Sequence, residues 1–158
     1  MTDITFYNES QLSAIDKEYG PVFNAEIMPI ADYIKLPKWG ASNAVIYAVL
    51  YVEKILAGVA RVQPVIMGKI NSDYYGEYSA AFPMVLYDIQ DLFLFKQYRG
   101  RKLCAPFVEA IRDHAPVAGN AAFMLSVDPE NVPAVKCYKR AEFTVIAPED
   151  ELAGEMDR

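Results

Sequence analysis

Apolar and polar positions change their spacing along the chain, and the changes mark the elements. Ile4–Tyr7 is a short apolar run that reads as a first strand. Ser10–Tyr19 has helical spacing, with Ser10 as a candidate N-cap and Gly20-Pro21 as a stop. Phe23–Tyr33 has mixed spacing and predicts a second, shorter helix broken by Pro29, with a loop over Pro37–Asn43. Ala44–Val52 is rich in Val, Ile and Tyr and predicts a strand. Glu53-Lys54 then makes a two-residue turn into a second strand at Ile55–Ile66, which completes a β-hairpin. Met67–Pro83 is polar and aromatic, and periodicity leaves it open between strand extension and loop. Met84–Phe95 predicts a strand and Lys96–Lys102 a short basic connection. Leu103–His114 predicts a helix with Leu103, Phe107, Val108 and Ile111 on its apolar face. Ala121–Val127 predicts a strand, Val132–Arg140 a short helix, and Phe143–Ile146 a final strand.

Hairpin strands come first and strand–helix–strand–helix–strand follows. That order predicts an α/β domain whose sheet is part antiparallel and part parallel. A length of 158 residues fits one domain with a real core, and 53% hydrophobic against 23% charged residues excludes a disordered chain. No apolar run reaches about 18 residues, so neither a membrane-spanning helix nor a membrane partner is expected. Met1–Thr5 lacks the basic start of a secretory signal, and a cytoplasmic location is the expectation. Two cysteines and one histidine make neither a disulfide framework nor a zinc site, so free thiols and no metal are expected.

Charge refines the picture. The formal net charge is −6, but residues 149–158 carry −4 of it, which leaves −2 for the body. A near-neutral body with an acidic tail argues against nucleic-acid binding, which needs a basic face. The expected organisation is therefore one domain at 1–148 and a disordered acidic tail at 149–158.

The candidate chemistry begins at Lys96-Gln97-Tyr98-Arg99-Gly100-Arg101-Lys102, between a buried strand and a helix. A helix start presents unpaired N–H groups and partial positive charge, which suits an anion. Gly100 permits a turn that Cβ would obstruct, and Lys96, Arg99, Arg101 and Lys102 add four cations. Further on, Asn131, Ala134, Tyr138 and Phe143 follow one another, with Ala134 and Tyr138 one helical turn apart on one face.

These two blocks resemble the GNAT superfamily of acetyl-CoA-dependent N-acetyltransferases. Gln97 and Gly100 match its Arg/Gln-x-x-Gly-x-Gly/Ala signature, with Lys102 in place of the last Gly/Ala. Asn131, Ala134, Tyr138 and Phe143 match its second block, with Glu142 where glycine is usual. The resemblance implies a central, mixed, twisted sheet of six to seven strands flanked by about four helices. It also implies acetyl-CoA as cosubstrate and no metal. Pantetheine would pair with the strand at Phe93 and Leu94. The phosphates would lie on Gln97, Arg99, Gly100, Arg101, Lys102, Leu103 and Cys104, and the CoA arm would pass Asn131 and Ala134.

The reaction implied is transfer of an acetyl group to a primary amine by direct attack, with Tyr138 as the acid that protonates the departing thiolate. Asp88 and Asp91 are the candidate bases or substrate ligands; strand alternation puts them on opposite faces unless a bulge intervenes. A small-molecule amine is the expected acceptor, a polyamine included, with Glu26, Asp32, Tyr74, Tyr75 and Tyr78 as candidate contributors to its site. A homodimer is admitted. The competing readings are a protein or peptide N-acetyltransferase, one that acetylates charged tRNA included, and a degenerate GNAT domain that binds CoA or a partner without catalysis. His114 reads as a cation at a helix C-terminus, and Cys104 and Cys137 as packing residues.

Overall fold

A computed structural model describes residues 1–38, 45–64, 85–117, 121–148 and 152–157, with Val85 and everything beyond Phe143 described by backbone alone. Seven strands form one sheet: β1 (Thr2–Tyr7), β2 (Ile46–Val52), β3 (Ile55–Pro64), β4 (Val85–Leu94), β5 (Ala121–Val127), β6 (Thr144–Pro148) and β7 (Leu152–Asp157). Their order is β1-β2-β3-β4-β5-β7-β6. Neighbours pair antiparallel except β4 and β5, which are parallel. The described helices are α1 (Glu9–Ala14), α2 (Asp16–Glu26), α3 (Ile30–Ile34), α4 (Cys104–His114) and α5 (Val132–Arg140). Each strand and helix from β2 to α5 lies within two residues of its expected position. The 67–83 segment, with Tyr74, Tyr75 and Tyr78, lies outside the described residues.

Glu53 and Lys54 take φ of 49° and 65° in the β2–β3 turn. Left-handed backbone at both central residues is the primed turn that matches strand twist. The core gathers the apolar faces of these elements. Phe23 of α2 meets Tyr33 of α3 and Phe95 edge to face at 5.5 and 6.0 Å, and Tyr33 meets Tyr47 of β2 at 6.0 Å. Phe107, Val108 and Ile111 bury the apolar face of α4.

Four expectations change. The first helix is capped by Asn8, not Ser10: Gln11 N donates to Asn8 Oδ1 at 2.8 Å and Asn8 N to Gln11 Oε1 at 2.9 Å. This reciprocal box satisfies two main-chain donors, more than a serine hydroxyl alone would. Gly20-Pro21 does not stop a helix. The break falls at Ile15, and α2 runs through Pro21 because Phe23, fully buried, anchors its second half. Pro29 does break the chain, as the residue before α3.

The acidic tail is not a frayed end throughout, since β7 inserts between β5 and β6 and pairs with both. Composition does not register this, because the main-chain groups of two strand edges decide it. The cysteines are not free thiols. Cys104 and Cys137 form a disulfide with Cα atoms 5.8 Å apart, because the packing of α4 on α5 brings together residues 33 positions apart.

Candidate active site

The site is made by strand β4. Its recorded pairing with β5 ends at Asp88↔Met124, while both strands continue. Beyond Asp88 the two strands part, and among the described residues Ile89–Leu94 have no strand partner on the β5-facing edge. On its other edge β4 carries a bulge: Val59 opposes Phe93 but Arg61 opposes Gln90, so β4 has one extra residue there. Asp91, at φ 49°, is that irregular residue. Gly58 of β3 lets β4 close up again after the bulge, since a Cβ there would stand 2.8 Å from Phe93 O.

The bulge brings Asp88 and Asp91 to one cavity, which strict alternation would have prevented. It measures ≈ 610 Å³ and is lined by Leu36, Pro37, Lys38, Arg61, Asp88, Ile89, Gln90, Asp91, Leu92, Ser126 and Tyr138. Tyr138 reaches it from α5 and Ser126 from β5. Burial pushes the Tyr138 phenol up, so it stays protonated at neutral pH and is able to donate. Asp88 is buried, and its carboxylate accepts from Gln90 Nε2, whose own oxygen accepts from Gln63 Nε2.

Asp91 is held differently. Its Oδ2 accepts from Arg61 Nη1 at 2.6 Å, and its carbonyl accepts from Tyr33 OH at 2.7 Å. Arg61 also donates from Nη2 to Leu36 O at 3.2 Å and Pro37 O at 2.8 Å, tying the segment after α3 to the bulge. Burial, reinforced by the Asp91 charge, holds the Tyr33 phenol well above its ordinary value. Sequence reasoning passed over Arg61, although a lone charge within Ile55–Pro64, an otherwise uncharged strand, is a signal that a buried partner exists. Lys38, Ser126 and the Gln63–Gln90 pair were missed as well, and carry no local signal.

At the far end of β4 the chain turns into α4. Phe95 and Tyr98 are buried and pin this turn, and Phe95 N donates to Ala57 O at 2.8 Å. Between them runs a short 3₁₀ turn, Lys96–Tyr98, that holds Gln97 exposed. Gly100 has φ +76°, and a Cβ placed on it would meet nothing within 4 Å, so the surface over the turn is open. Arg99 Nε donates to Leu94 O at 2.9 Å, and the Arg101 guanidinium lies 5.4 Å from the Tyr98 ring centre. Lys102 takes φ 59°, a left-handed conformation natural to glycine, with its side chain exposed. Leu103, the residue before α4, makes no side-chain capping hydrogen bond, so among the described residues no side chain caps the helix that Cys104 opens.

Asn131 caps α5, its Oδ1 accepting from Ala134 N at 3.4 Å, while Ala134 is half-buried in the first turn. Of the other candidates, Glu26 is engaged, its carboxylate accepting Lys96 N at 2.9 Å. Asp32 is in the first turn of α3, outside the cavity lining. His114 is exposed in the last turn of α4. Among the described residues no group of His, Cys, Asp and Glu is arranged to hold a metal.

With an antiparallel β1–β4 half, a bulged β4, a β4–β5 pairing that stops at Asp88 and a glycine turn running into α4, the chain has the GNAT acetyltransferase fold. No protein-family model and no curated protein matches the chain. Solved structures do. Arabidopsis thaliana NAA60 in complex with acetyl-CoA superposes with a TM-score of 0.64 at 15% identity, over 99% of this chain and 98% of that one. The aminoglycoside acetyltransferase AAC(6')-Ib in complex with coenzyme A gives 0.61 at 17% identity, over 100% and 95%. An acetyltransferase of the GNAT family from Streptococcus pneumoniae gives 0.61 at 14% identity over 100% of both chains.

Proposed function

We propose that the chain is an acetyl-CoA-dependent N-acetyltransferase that acts on a primary amine of a small molecule. One observation carries the reading. The pairing of β4 with β5 stops at Asp88, beside a cavity lined by Asp88 and Tyr138, and β4 runs on to an open glycine turn at the start of α4. In this reading acetyl-CoA lies along that stretch of β4. Its pyrophosphate would take the N–H groups of residues 99–104, with Lys96, Arg99, Arg101 and Lys102 nearby. Its pantetheine would pair with the edge at Phe93 and Leu94, and its arm would pass Asn131 and Ala134. The exposed, left-handed Lys102 leaves the backbone of the turn accessible, which favours a working phosphate site over a degenerate one. The fold's neighbours solved with acetyl-CoA or coenzyme A support the same cosubstrate.

In this reading an acceptor ammonium gives up a proton on the Asp88 side of the cavity, directly or through water. The neutral nitrogen attacks the thioester carbonyl, the C–S bond breaks as the Tyr138 hydroxyl protonates the departing sulfur, and the second proton lost by the nitrogen returns through water to the Tyr138 oxygen. Asp91, committed to Arg61, shapes the cavity more than it exchanges protons.

The test has two parts. Acetyl-CoA should raise the melting temperature of the protein, because it binds the native state. A screen of primary amines, amino acids, aminoglycosides and lysine peptides should then show amine-dependent release of CoA thiol. Acetyl-CoA binding with no transfer to any acceptor would leave a CoA-binding domain without this activity. A preference of tenfold or more for peptides, about 1.4 kcal/mol, would reassign the acceptor to proteins.

A further inference from the structure

We infer that the Cys104–Cys137 pair is a redox element coupled to the acetyl-CoA site. Its disulfide form binds acetyl-CoA more tightly than its dithiol form, and bound acetyl-CoA in turn protects the bond from reduction. This rests on the proposed reading that the start of α4 takes the pyrophosphate. Phe107 N is already taken by Leu103 O at 3.0 Å and Pro106 has no N–H, so the first turn of α4 offers its donors at Cys104 and Ala105. One of those two donors therefore belongs to a residue of the disulfide.

The bond is a strong restraint on a turn that is otherwise lightly held. The helix start has no side-chain cap, and it follows Gly100 and Lys102, both left-handed. Leu103 and Ala105 pack on the core only in part. The hydrogen bonds described for residues 99–106 stay within the turn, the end of β4 and α4 itself. Such helix ends are where local opening costs least. Cys137 is placed differently. It is 6% exposed in α5, whose start is capped by Asn131 and whose end is clasped at Tyr138 and Phe143. The disulfide thus fastens a turn prone to fray to a helix held at both ends. It narrows the arrangements that the phosphate donors sample before the ligand arrives, and a site ordered in advance costs less to fill. Reduction leaves the fold in place and releases the turn.

The coupling is reciprocal: the factor by which the bond tightens acetyl-CoA binding is the factor by which acetyl-CoA stabilises the bond. Reduction by a dithiol such as dithiothreitol balances. A reagent thiolate attacks one sulfur to give a mixed disulfide, and its second thiol closes the cyclic disulfide. Two electrons pass from the reagent to the cysteine pair, and two protons end on the cysteine sulfurs.

The experiment is calorimetric titration with acetyl-CoA, which carries no free thiol, of the disulfide form and of the form reduced by a phosphine. It is run at a temperature where circular dichroism shows both folded. The disulfide form should bind fivefold or more tightly, the lower edge of ordinary coupling between two sites. Cys104→Ser with Cys137→Ser should bind like the dithiol form and ignore the reductant; if that variant does not fold, the reduced wild type carries the comparison. In dithiothreitol redox buffers, saturating acetyl-CoA should raise the ratio of reduced to oxidised reagent needed for half-reduction by the same factor that separates the two affinities. A difference under fivefold, tighter binding by the dithiol form, or a midpoint that acetyl-CoA leaves unmoved overturns the inference. Equal binding by both forms does so while leaving the transferase reading intact, and no binding by either form overturns both. The expected coupling without amine-dependent thiol release would sink the transferase reading and leave the redox inference standing.

Discussion

The main-chain N–H of Phe143 donates to the carbonyl of Tyr138 at 3.1 Å, and the two rings meet edge to face with centroids 6.2 Å apart. Glu142 N donates to Lys139 O at 3.0 Å in the same turn. These are the two bonds and the apolar contact of a Schellman ending, so the C-terminus of α5 is what orients the tyrosine. The second sequence block, from Asn131 to Phe143, is thus one structural unit: a capped helix start, a small residue, the tyrosine, and the clasp that holds it.

The first expected outcome concerns that tyrosine. Tyr138→Phe keeps the ring contact with Phe143 and removes the hydroxyl. Turnover should fall by roughly 10²–10⁴-fold, the range for losing a general acid, with acetyl-CoA affinity little changed. Because burial raises the Tyr138 pKa above 10.0, the hydroxyl remains a donor throughout the neutral range. The sign for stability follows: with the folded value raised, its contribution is intact below about pH 10 and lost as pH rises through the folded value. The wild-type kcat should show no alkaline limb from this group below that pH. A pH–rate profile of the wild type beside single-turnover rates for the variant checks both points.

How much of this was legible in the sequence depends on range. Ala121–Val127 and Val132–Arg140 stand where pattern placed them, because the period of a strand or helix is a local signal. The turn from Lys96 to Leu103 was equally legible, since cations and a glycine between strand and helix carry their own signal. What failed needed contacts from afar. Gly20-Pro21 looks like a stop until the burial of Phe23 is known. The Arg61–Asp91 pair spans 30 positions and exists because a bulge turns Asp91 towards β3. The disulfide and the pairing of β7 are likewise products of packing that neither cysteine count nor tail composition encodes.

Two departures from the family pattern have one backbone explanation and one expected outcome. Glu142 and Lys102 sit at φ 69° and 59°, where the family carries glycine, or glycine or alanine. A left-handed conformation costs an ordinary residue roughly 1–2 kcal/mol, and glycine's greater freedom in the unfolded chain costs about 0.5–1 kcal/mol. Glu142→Gly and Lys102→Gly should each stabilise the fold by up to about 1 kcal/mol, a rise in Tm of roughly 2–4 °C. Lys102→Gly should change acetyl-CoA affinity by less than about fivefold, the effect of one exposed charge at a helix start. Thermal melts and an acetyl-CoA titration of the variants decide it; a fall in Tm would show that these side chains make contacts that outweigh the strain.

Gly100 separates backbone from side-chain effects. A Cβ placed on it meets nothing within 4 Å, so the conformation at φ +76° is what resists substitution. Valine is an outlier there, whereas asparagine visits this region readily. Gly100→Val should therefore re-form the turn and weaken acetyl-CoA binding by tenfold or more, about 1.4 kcal/mol. Gly100→Asn should keep the turn, and any remaining loss of affinity then measures how closely phosphate approaches the backbone. Equal affinity in wild type and a folded Gly100→Val would place the phosphates elsewhere.

The disulfide offers the last expected outcome. Cys104 opens α4, next to the glycine turn, and Cys137 lies buried beside Tyr138 in α5. The bond thus ties the proposed phosphate end of the site to the proposed acid end. Closing a loop between residues 33 positions apart removes freedom from the unfolded chain worth roughly 3–4 kcal/mol. Phe107, Val108, Ile111 and Ala141 are themselves buried, so the packing of α4 and of the end of α5 does not rest on the bond alone. Dithiothreitol, or Cys104→Ser with Cys137→Ser, should therefore leave a folded domain of similar helix and strand content. Its Tm should be lower by several degrees, at roughly 2–4 °C per kcal/mol. Differential scanning calorimetry under oxidising and reducing conditions gives the shift, and thiol counting on the unfolded protein confirms the state of the pair. An identical Tm in both states, with the bond shown to be present in one, would mean that native-state effects cancel the entropy of the loop.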